Sequence, residues 1–137
     1  MEMYQKALAD NPRDVLAMNN LAYLTAARNE NYPRAIELIE GAKRVVGENP
    51  EVRDTEALVR YLEGRHAEAQ RILRAVVVEA PSGTAFFHLA LAEDALGNTD
   101  EARDAWKRSG ELGLGRGDLH PLERKDYDRM ATKYNAK

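Results

Sequence analysis

The chain has 137 residues, which is one domain's worth of sequence and enough to bury a sizeable core. Hydrophobic residues make up 44% and charged residues 31%, a balance typical of a soluble folded chain. The formal net charge is −3, so the chain as a whole has no electrostatic attraction for nucleic acid or for an anionic membrane. The absence of cysteine excludes disulfides, thiol nucleophiles and cysteine-ligated zinc.

The first element, MEMYQKALADNP at 1–12, predicts the last turns of a helix that lacks a partner helix. One side of this helix is apolar, formed by Tyr4, Ala7 and Leu8. We expect that apolar edge to be exposed and to pair with a second copy of the chain, which predicts a homodimer as one mode of association.

The next hundred residues repeat with a period of 33 to 35 residues. A small residue recurs in each predicted first helix, at Ala22, Ala57 and Ala90, and in each predicted second helix, at Ala35, Ala69 and Ala102. Gly64 and Gly97 lie at the predicted turns, with Asn29 near the corresponding place in the first unit, and Pro50 and Pro81 close two of the units. The period predicts helix–turn–helix units at 13–50, 51–81 and 82–114, with 1–12 as a partial unit.

Each such unit has an apolar face that it cannot bury alone, so we expect the units to stack into one continuous core. A residue without bulk is required where two helices cross closely, which explains the recurring alanines. The middle unit departs from the pattern, because Arg53, Glu56 and Arg60 replace large apolar residues. We expect these three to pair with one another, with that helix either rotated or shifted in register.

The C-terminal part, 115–137, begins in a glycine-rich loop at 113–117 and continues as another helix. Pro121 suits the first position of that helix. Its predicted apolar face consists of Leu122, Tyr127, Met130 and Tyr134. This pattern predicts a capping helix with one face on the stack and the other in water.

The repeating pattern resembles the tetratricopeptide repeat (TPR), and the amino-acid sequence of the repeats is similar to that of bacterial members of the family. The residues that carry the resemblance are Ala22, Tyr32, Ala35 and Pro50, then Ala57, Gly64, Ala69 and Pro81, then Ala90, Gly97, Ala102 and Trp106. The resemblance implies an all-α superhelical solenoid of about three units within one domain, 1–137, that acts as a scaffold for protein–protein interaction. Because the chain begins part-way through a unit, we expect either a C-terminal fragment of a longer repeat protein or a trimmed first repeat; a natural N-terminal cap is the alternative.

The resemblance also implies a groove on the first helices that binds a peptide or a protein segment. The positions carried over are Asn19, Tyr23, Asp54, Leu58, Tyr61, Thr84, Phe87, His88, Leu91 and Asp94. Asp54 and Asp94 favour a neutral or basic ligand. The family's clamp for a C-terminal carboxylate needs lysine and arginine in the groove and is not expected here. Whether Tyr23, Tyr61 and Phe87 bind a ligand or only pack between units stays open.

No pattern in the sequence predicts an enzyme, a cofactor or a metal. His66, His88 and His120 lie far apart, and HPLE at 120–123 supplies too few ligands for a metal site. GLGRG at 113–117 lacks the lysine and hydroxyl residue of a phosphate-binding loop. We expect a soluble protein, cytoplasmic or periplasmic, that binds no nucleic acid and does not insert into membranes.

Overall fold

The computed structural model describes residues 2–135, and within that range it contains eight α-helices and no β-strand. The helices are α1 (Glu2–Asp10), α2 (Val15–Asn29), α3 (Tyr32–Val46), α4 (Pro50–Leu62), α5 (His66–Glu79), α6 (Gly83–Ala95), α7 (Thr99–Glu111) and α8 (Arg124–Asn135). Two short 3₁₀ turns, Arg116–Asp118 and Pro121–Glu123, lie between α7 and α8. The prediction of an all-α fold is confirmed.

The helices pack as three consecutive pairs, α2 with α3, α4 with α5 and α6 with α7. Helix α4 also contacts α2 and α6, so these three form an inner layer. Helices α3 and α5 lie outside it, and each packs against the first helix of the next pair. This is the arrangement of an α-helical solenoid, with α1 packed on α2 at one end and α8 on α7 at the other.

The six alanines of the sequence period are all fully buried: Ala22, Ala35, Ala57, Ala69, Ala90 and Ala102. A methyl group at these positions lets the helix axes approach closely, and the larger side chains pack around the contacts. Ile39, Leu73 and Phe87 are among the largest fully buried side chains. The role predicted for the alanines therefore agrees with their burial.

The first helix of each pair is followed by a residue in the left-handed backbone conformation. In two of the three units this residue is the predicted glycine. Gly64 has a φ of 91° and Gly97 a φ of 80°. In the first unit the corresponding residue is Glu30, with a φ of 51°, and not Asn29, which is the last residue of α2. Glu30 holds this conformation because its backbone N–H donates to the carbonyls of α2, as a C-cap requires.

Pro50 is the first residue of a helix, whereas the repeat pattern predicted that it ends a unit. Helix α3 already ends at Val46, and Pro50 is the first residue of α4. Asn49 caps α4, since its side-chain Oδ1 accepts from the N–H of Glu51 at 2.9 Å and of Val52 at 3.3 Å. The boundary at Pro50 therefore moves by one residue, because proline is favoured at the first helical position.

The charged stripe of α4 pairs with neighbouring helices, and the expectation that its members pair with one another is wrong. Glu56 Oε1 lies 2.8 Å from Lys43 Nζ of α3. Arg53 reaches Glu79 of α5 at 3.0 Å, and Arg60 reaches Glu68 of α5 at 3.6 Å. The stripe faces both outer neighbours of α4, and its half-buried charges replace apolar contacts at these two seams.

A buried carboxylate of α6, that of Glu93, joins this inner helix to the outer helix α5. The side chain of Glu93 accepts hydrogen bonds from Gln70 at 2.5 Å, Asn98 at 2.9 Å and Arg74 at 2.9 Å. Burial works against its charge, but these three donors outweigh burial and lower the pKa of Glu93. All of its bonds are made within the stack, so we assign it a structural role.

We predict that Ala69→Leu lowers the free energy of unfolding by about 1–3 kcal/mol, because three further carbons must enter a close helix contact. The control is Ala67→Leu on the same helix, where the side chain is exposed and the expected change is within about 0.5 kcal/mol. Urea unfolding measures both. Equal losses in the two variants would show that Ala69 is not at a helix crossing.

Candidate functional site

The ten residues predicted to line a groove lie on the inner helices α2, α4 and α6. Four are buried: Leu58, Phe87, His88 and Leu91. Six are partly buried: Asn19, Tyr23, Asp54, Tyr61, Thr84 and Asp94. We call the surface that these ten residues define the concave face. Much of it is covered by residues 116–135, which we call the C-terminal segment.

Each aromatic residue of the concave face touches the C-terminal segment. The ring of Tyr23 meets His120 edge-on, with ring centroids 5.5 Å apart. The Tyr61 hydroxyl accepts from Arg129 Nη2 at 3.4 Å. Phe87 lies 5.9 Å from the ring of Tyr127. The aromatic patch predicted from the sequence is therefore covered from within the same chain.

The buried imidazole of His88 lies between two carboxylates from different parts of the chain. Its Nδ1 is 2.8 Å from Asp54 Oδ1 on α4, and its Nε2 is 2.5 Å from Glu123 Oε1 in the C-terminal segment. Burial disfavours the positive charge, but the charges and hydrogen bonds of Asp54 and Glu123 outweigh burial and raise the pKa of His88 to about 10. At neutral pH both ring nitrogens therefore donate, and the imidazolium joins α4, α6 and the C-terminal segment.

Asp94, near the C-terminal end of α6, also binds the C-terminal segment. One of its oxygens accepts from Lys133 Nζ at 2.6 Å and from the Tyr134 hydroxyl at 2.6 Å, and the other accepts from Arg129 Nη1 at 3.0 Å. Burial opposes the negative charge, but these donors outweigh burial and lower the pKa of Asp94. The charge of Asp94 is therefore paired within the chain by Arg129 and Lys133.

The last helix covers the stack with three of the four residues that the sequence predicted for its apolar face, and the fourth, Leu122, lies in the turn before the helix. Met130 and Tyr134 are buried and Tyr127 is half-buried, but Leu122 is 41% exposed and lies outside the packed face. Trp106 of α7 contacts this helix, since it lies 5.0 Å from the Tyr127 ring and donates its Nε1–H to Asn135 Oδ1 at 2.7 Å. The helix caps α7 as expected, and its polar side chains also extend over the concave face.

Part of the concave face is left open beside the covered part. A cleft of about 580 Å³ lies where α4 and α6 begin, with Asn19, Asp54, Thr55 and Thr84 among its lining residues. The Oδ1 atom of Asn19 is buried and accepts no hydrogen bond from the residues the structure describes. Such an acceptor is costly when it stays unpaired, but its burial keeps it out of reach of a ligand, so the hydrogen-bonding groups that the cleft itself offers are those of Asp54, Thr55 and Thr84.

The N-terminal edge is less exposed than expected. Tyr4, Ala7 and Leu8 are half-buried, and Tyr4 and Leu8 pack against the core beneath α2. The expectation that these residues form a bare edge is therefore wrong, because α2 already covers them. The exposed apolar side chains at this end are Met3 and Leu16, which are 73% and 69% exposed.

Sequence reasoning missed the residues that the C-terminal segment contributes to the concave face. They are Glu123, Arg129 and Lys133, and none of them belongs to a motif that marks a site. One feature of the sequence could have indicated them. The inner helices carry acidic residues and the last helix carries basic residues four apart, so the two surfaces have opposite charge. The spacing of Arg129 and Lys133 places them on one side of α8.

No group of three or more His, Asp or Glu side chains within residues 2–135 is arranged to hold a metal ion. Over the same range, no helix has the length and apolar composition needed to cross a bilayer.

Three stacked helix pairs with an inner layer define an α-helical repeat protein. Tetratricopeptide-repeat models match residues 3–37 and residues 55–113. The TPR repeat-containing protein PA4667 of Pseudomonas aeruginosa is 32% identical over 82 residues, which is 60% of this chain and 14% of that protein. The chain thus spans only a small part of the length of this curated relative.

Two solved structures, MamA MSR-1 and MamA AMB-1, have a similar fold. Their TM-scores are 0.58 and 0.57, and their sequences are 23% and 25% identical to the chain. The matches cover 81% and 83% of this chain, and 64% and 63% of those chains. These two likenesses concern the fold. The two repeat matches show that the chain belongs to the tetratricopeptide-repeat family, whose general role is to mediate contacts between proteins.

We predict that raising the pH destabilises the protein through His88. Its charge contributes fully below the unfolded-state pKa of about 6.5, and the contribution is lost as the pH rises through about 10. Between these values the folded state holds one proton more than the unfolded state, so the free energy of unfolding falls by up to about 1.4 kcal/mol per pH unit.

Urea unfolding from about pH 7 to about pH 9 measures this slope. His88→Gln is the control, because it keeps an N–H donor without the charge. The difference in slope between wild type and control isolates the histidine from other titrating groups. Parallel slopes would contradict a charged His88 in the folded protein.

Proposed function

We propose that the concave face binds a segment of a protein partner, without chemical turnover. The observation that supports this most directly is that a segment of the chain itself lies on the face. It makes the three kinds of contact expected of a ligand there: aromatic packing on Phe87, a carboxylate on His88 and basic groups on Asp94. The same surface offers these contacts to a segment from another protein.

The open cleft extends this surface beyond the C-terminal segment. Thr55 and Thr84 provide hydroxyl groups on its two walls, and Val76 and Ala85 provide apolar ones. The Asp54 carboxylate and these two hydroxyl groups suit the backbone N–H groups of a partner. A mixed lining of this kind holds a peptide backbone by hydrogen bonds and leaves side-chain specificity to the covered part of the face.

A second candidate function, self-association, is favoured by the exposed apolar pair Met3 and Leu16 at the N-terminal end. Two large side chains without cover at one end of a stack are available for contact with a second copy. This candidate uses a different surface from the concave face, so the two functions can be tested separately.

We predict that the open cleft contacts the partner. A photoreactive benzoylphenylalanine at Thr84 should cross-link a specific protein in extracts of the source cells, and one at the exposed Glu37 on α3 should not. Thr84→Arg should then weaken binding of that identified protein at least about tenfold, since it fills the cleft. Cross-linking to the same protein from both positions, or from Glu37 alone, would rule the cleft out.

We predict that Leu16→Glu abolishes self-association while leaving the fold intact, because Leu16 is largely exposed. Leu8 is less suitable for this test, because its half-buried side chain also stabilises the packing of α1 on α2. Val78→Glu is the control, at an exposed valine on α5. Size exclusion with light scattering gives the mass, and a wild-type monomer over a tenfold concentration range excludes this candidate.

A further inference from the structure

We infer that the C-terminal segment is a displaceable internal ligand that keeps the concave face closed. The partner that replaces it is a helical segment with a carboxylate followed, six and ten residues later, by basic residues, as Glu123 is followed by Arg129 and Lys133. This inference rests on the proposed function, and it names the chemistry of the ligand and the way access to the face is controlled.

The C-terminal segment carries local structure that does not depend on the concave face. Asp118 Oδ2 accepts from the N–H of Gly115 at 2.8 Å. Arg116 and Asp128 form an ion pair at 2.8 Å. His120 Nδ1 accepts from the N–H of Leu122 at 3.1 Å, which starts the turn before α8. The segment keeps these bonds when it leaves the face, so its release does not require it to unfold.

The connection to the stack is suited to movement of the segment. Helix α7 ends at Glu111, and three glycines follow before the first turn of the segment is complete, at 113, 115 and 117. Glycine adds backbone freedom at each of these positions. The segment can therefore leave the face as a unit, which breaks the contacts of Trp106 with Tyr127 and Asn135 and does not require α7 to unfold.

The contacts at the rim of the face are of a kind that exchanges in water. The side chains of Arg129 and Lys133 are 46% and 50% exposed where they meet Asp94. Only the basic partner of each pair is exposed, because the Asp94 side chain is 9% exposed, and the pairs select a ligand by its charge. The apolar anchors are Leu119, Met130 and Tyr134, which are buried in one core cluster with Phe87. A competing segment must provide apolar groups at these three places.

The open cleft gives a competing segment a place to begin. Asp54 lines the cleft and also bonds His88, so the uncovered and covered parts of the face meet at this residue. A partner held in the cleft contacts Asp54, and through His88 this residue is joined to Glu123, the carboxylate that the partner must replace. Its own carboxylate then takes the second ring nitrogen of His88, which keeps the imidazolium paired.

The test uses the full chain and a labelled synthetic peptide of residues 116–135 as the probe. Met130→Asp and Lys133→Glu are designed to release the internal segment while leaving the concave face unchanged. Lys125→Glu is the matched control, because Lys125 is exposed on the same helix and receives the same change of charge. The emission of Trp106, the single tryptophan, reports release because Tyr127 and Asn135 contact its ring.

We expect the peptide to bind the Met130→Asp chain at least about tenfold more tightly than wild type, with Lys133→Glu intermediate and Lys125→Glu equal to wild type. A peptide carrying Glu123→Gln should lose at least about tenfold in affinity for the opened chain, since one nitrogen of His88 then lacks its carboxylate. If Met130→Asp unfolds the protein, the comparison of Lys133→Glu with Lys125→Glu carries the test alone.

The remaining outcomes separate the inference from the proposed function. Equal binding of the peptide to all four chains would overturn the inference and leave the binding face in place. Unchanged Trp106 emission in both release variants would also overturn it, because the segment would then be a permanent part of the fold. Absence of binding to a chain whose tryptophan reports release would overturn the proposed binding mode itself. A dimer of the released chain would identify a second copy as the occupant and overturn the inference of a separate partner.

Discussion

The constraint on which this structure depends is the close contact of paired helices at a buried alanine. Two helices approach closely only where one side chain has little bulk, so Ala35, Ala69 and Ala102 fix where the second helix of each pair crosses the first. Because the contacts recur at a nearly constant spacing, successive pairs stack in similar ways and leave the first helices on one side. The concave face follows from this spacing, and its side chains are free to serve recognition.

The chemistry of the concave face explains why a covering segment is needed. Taking an imidazolium out of water costs several kcal/mol, and the loss is offset only when its partners are well placed. Asp54 satisfies one nitrogen of His88 from within the stack, and the second nitrogen is satisfied by Glu123. A buried charge of this kind stabilises the fold only while both carboxylates are in place, and it adds selectivity, because a covering segment without a carboxylate leaves one nitrogen unpaired.

The sequence allowed the stack to be predicted, because each of its determinants is local. Each determinant acts within one turn or one helix contact. These determinants are the alanine spacing, the glycines at Gly64 and Gly97, and the proline at Pro121. The position of the C-terminal segment is different in kind. It depends on pairs such as Glu123 with His88, 35 residues apart, and Arg129 with Tyr61, 68 apart. A period in the sequence predicts that a last helix continues the stack, and it carries no information on which charges meet across it.

An internal ligand lowers the apparent affinity of a partner for the concave face. A partner binds only the fraction of molecules whose segment is released, so its apparent affinity falls in proportion to that fraction. A segment docked in 99 molecules out of 100 weakens a partner about a hundredfold, or about 2.7 kcal/mol. Because the segment is tethered, a weak intrinsic contact is enough to hold it at such an occupancy. The ion pairs on Asp94 and three apolar anchors are therefore sufficient to close the face, and a partner that engages the adjacent cleft gains the additional contacts needed to open it.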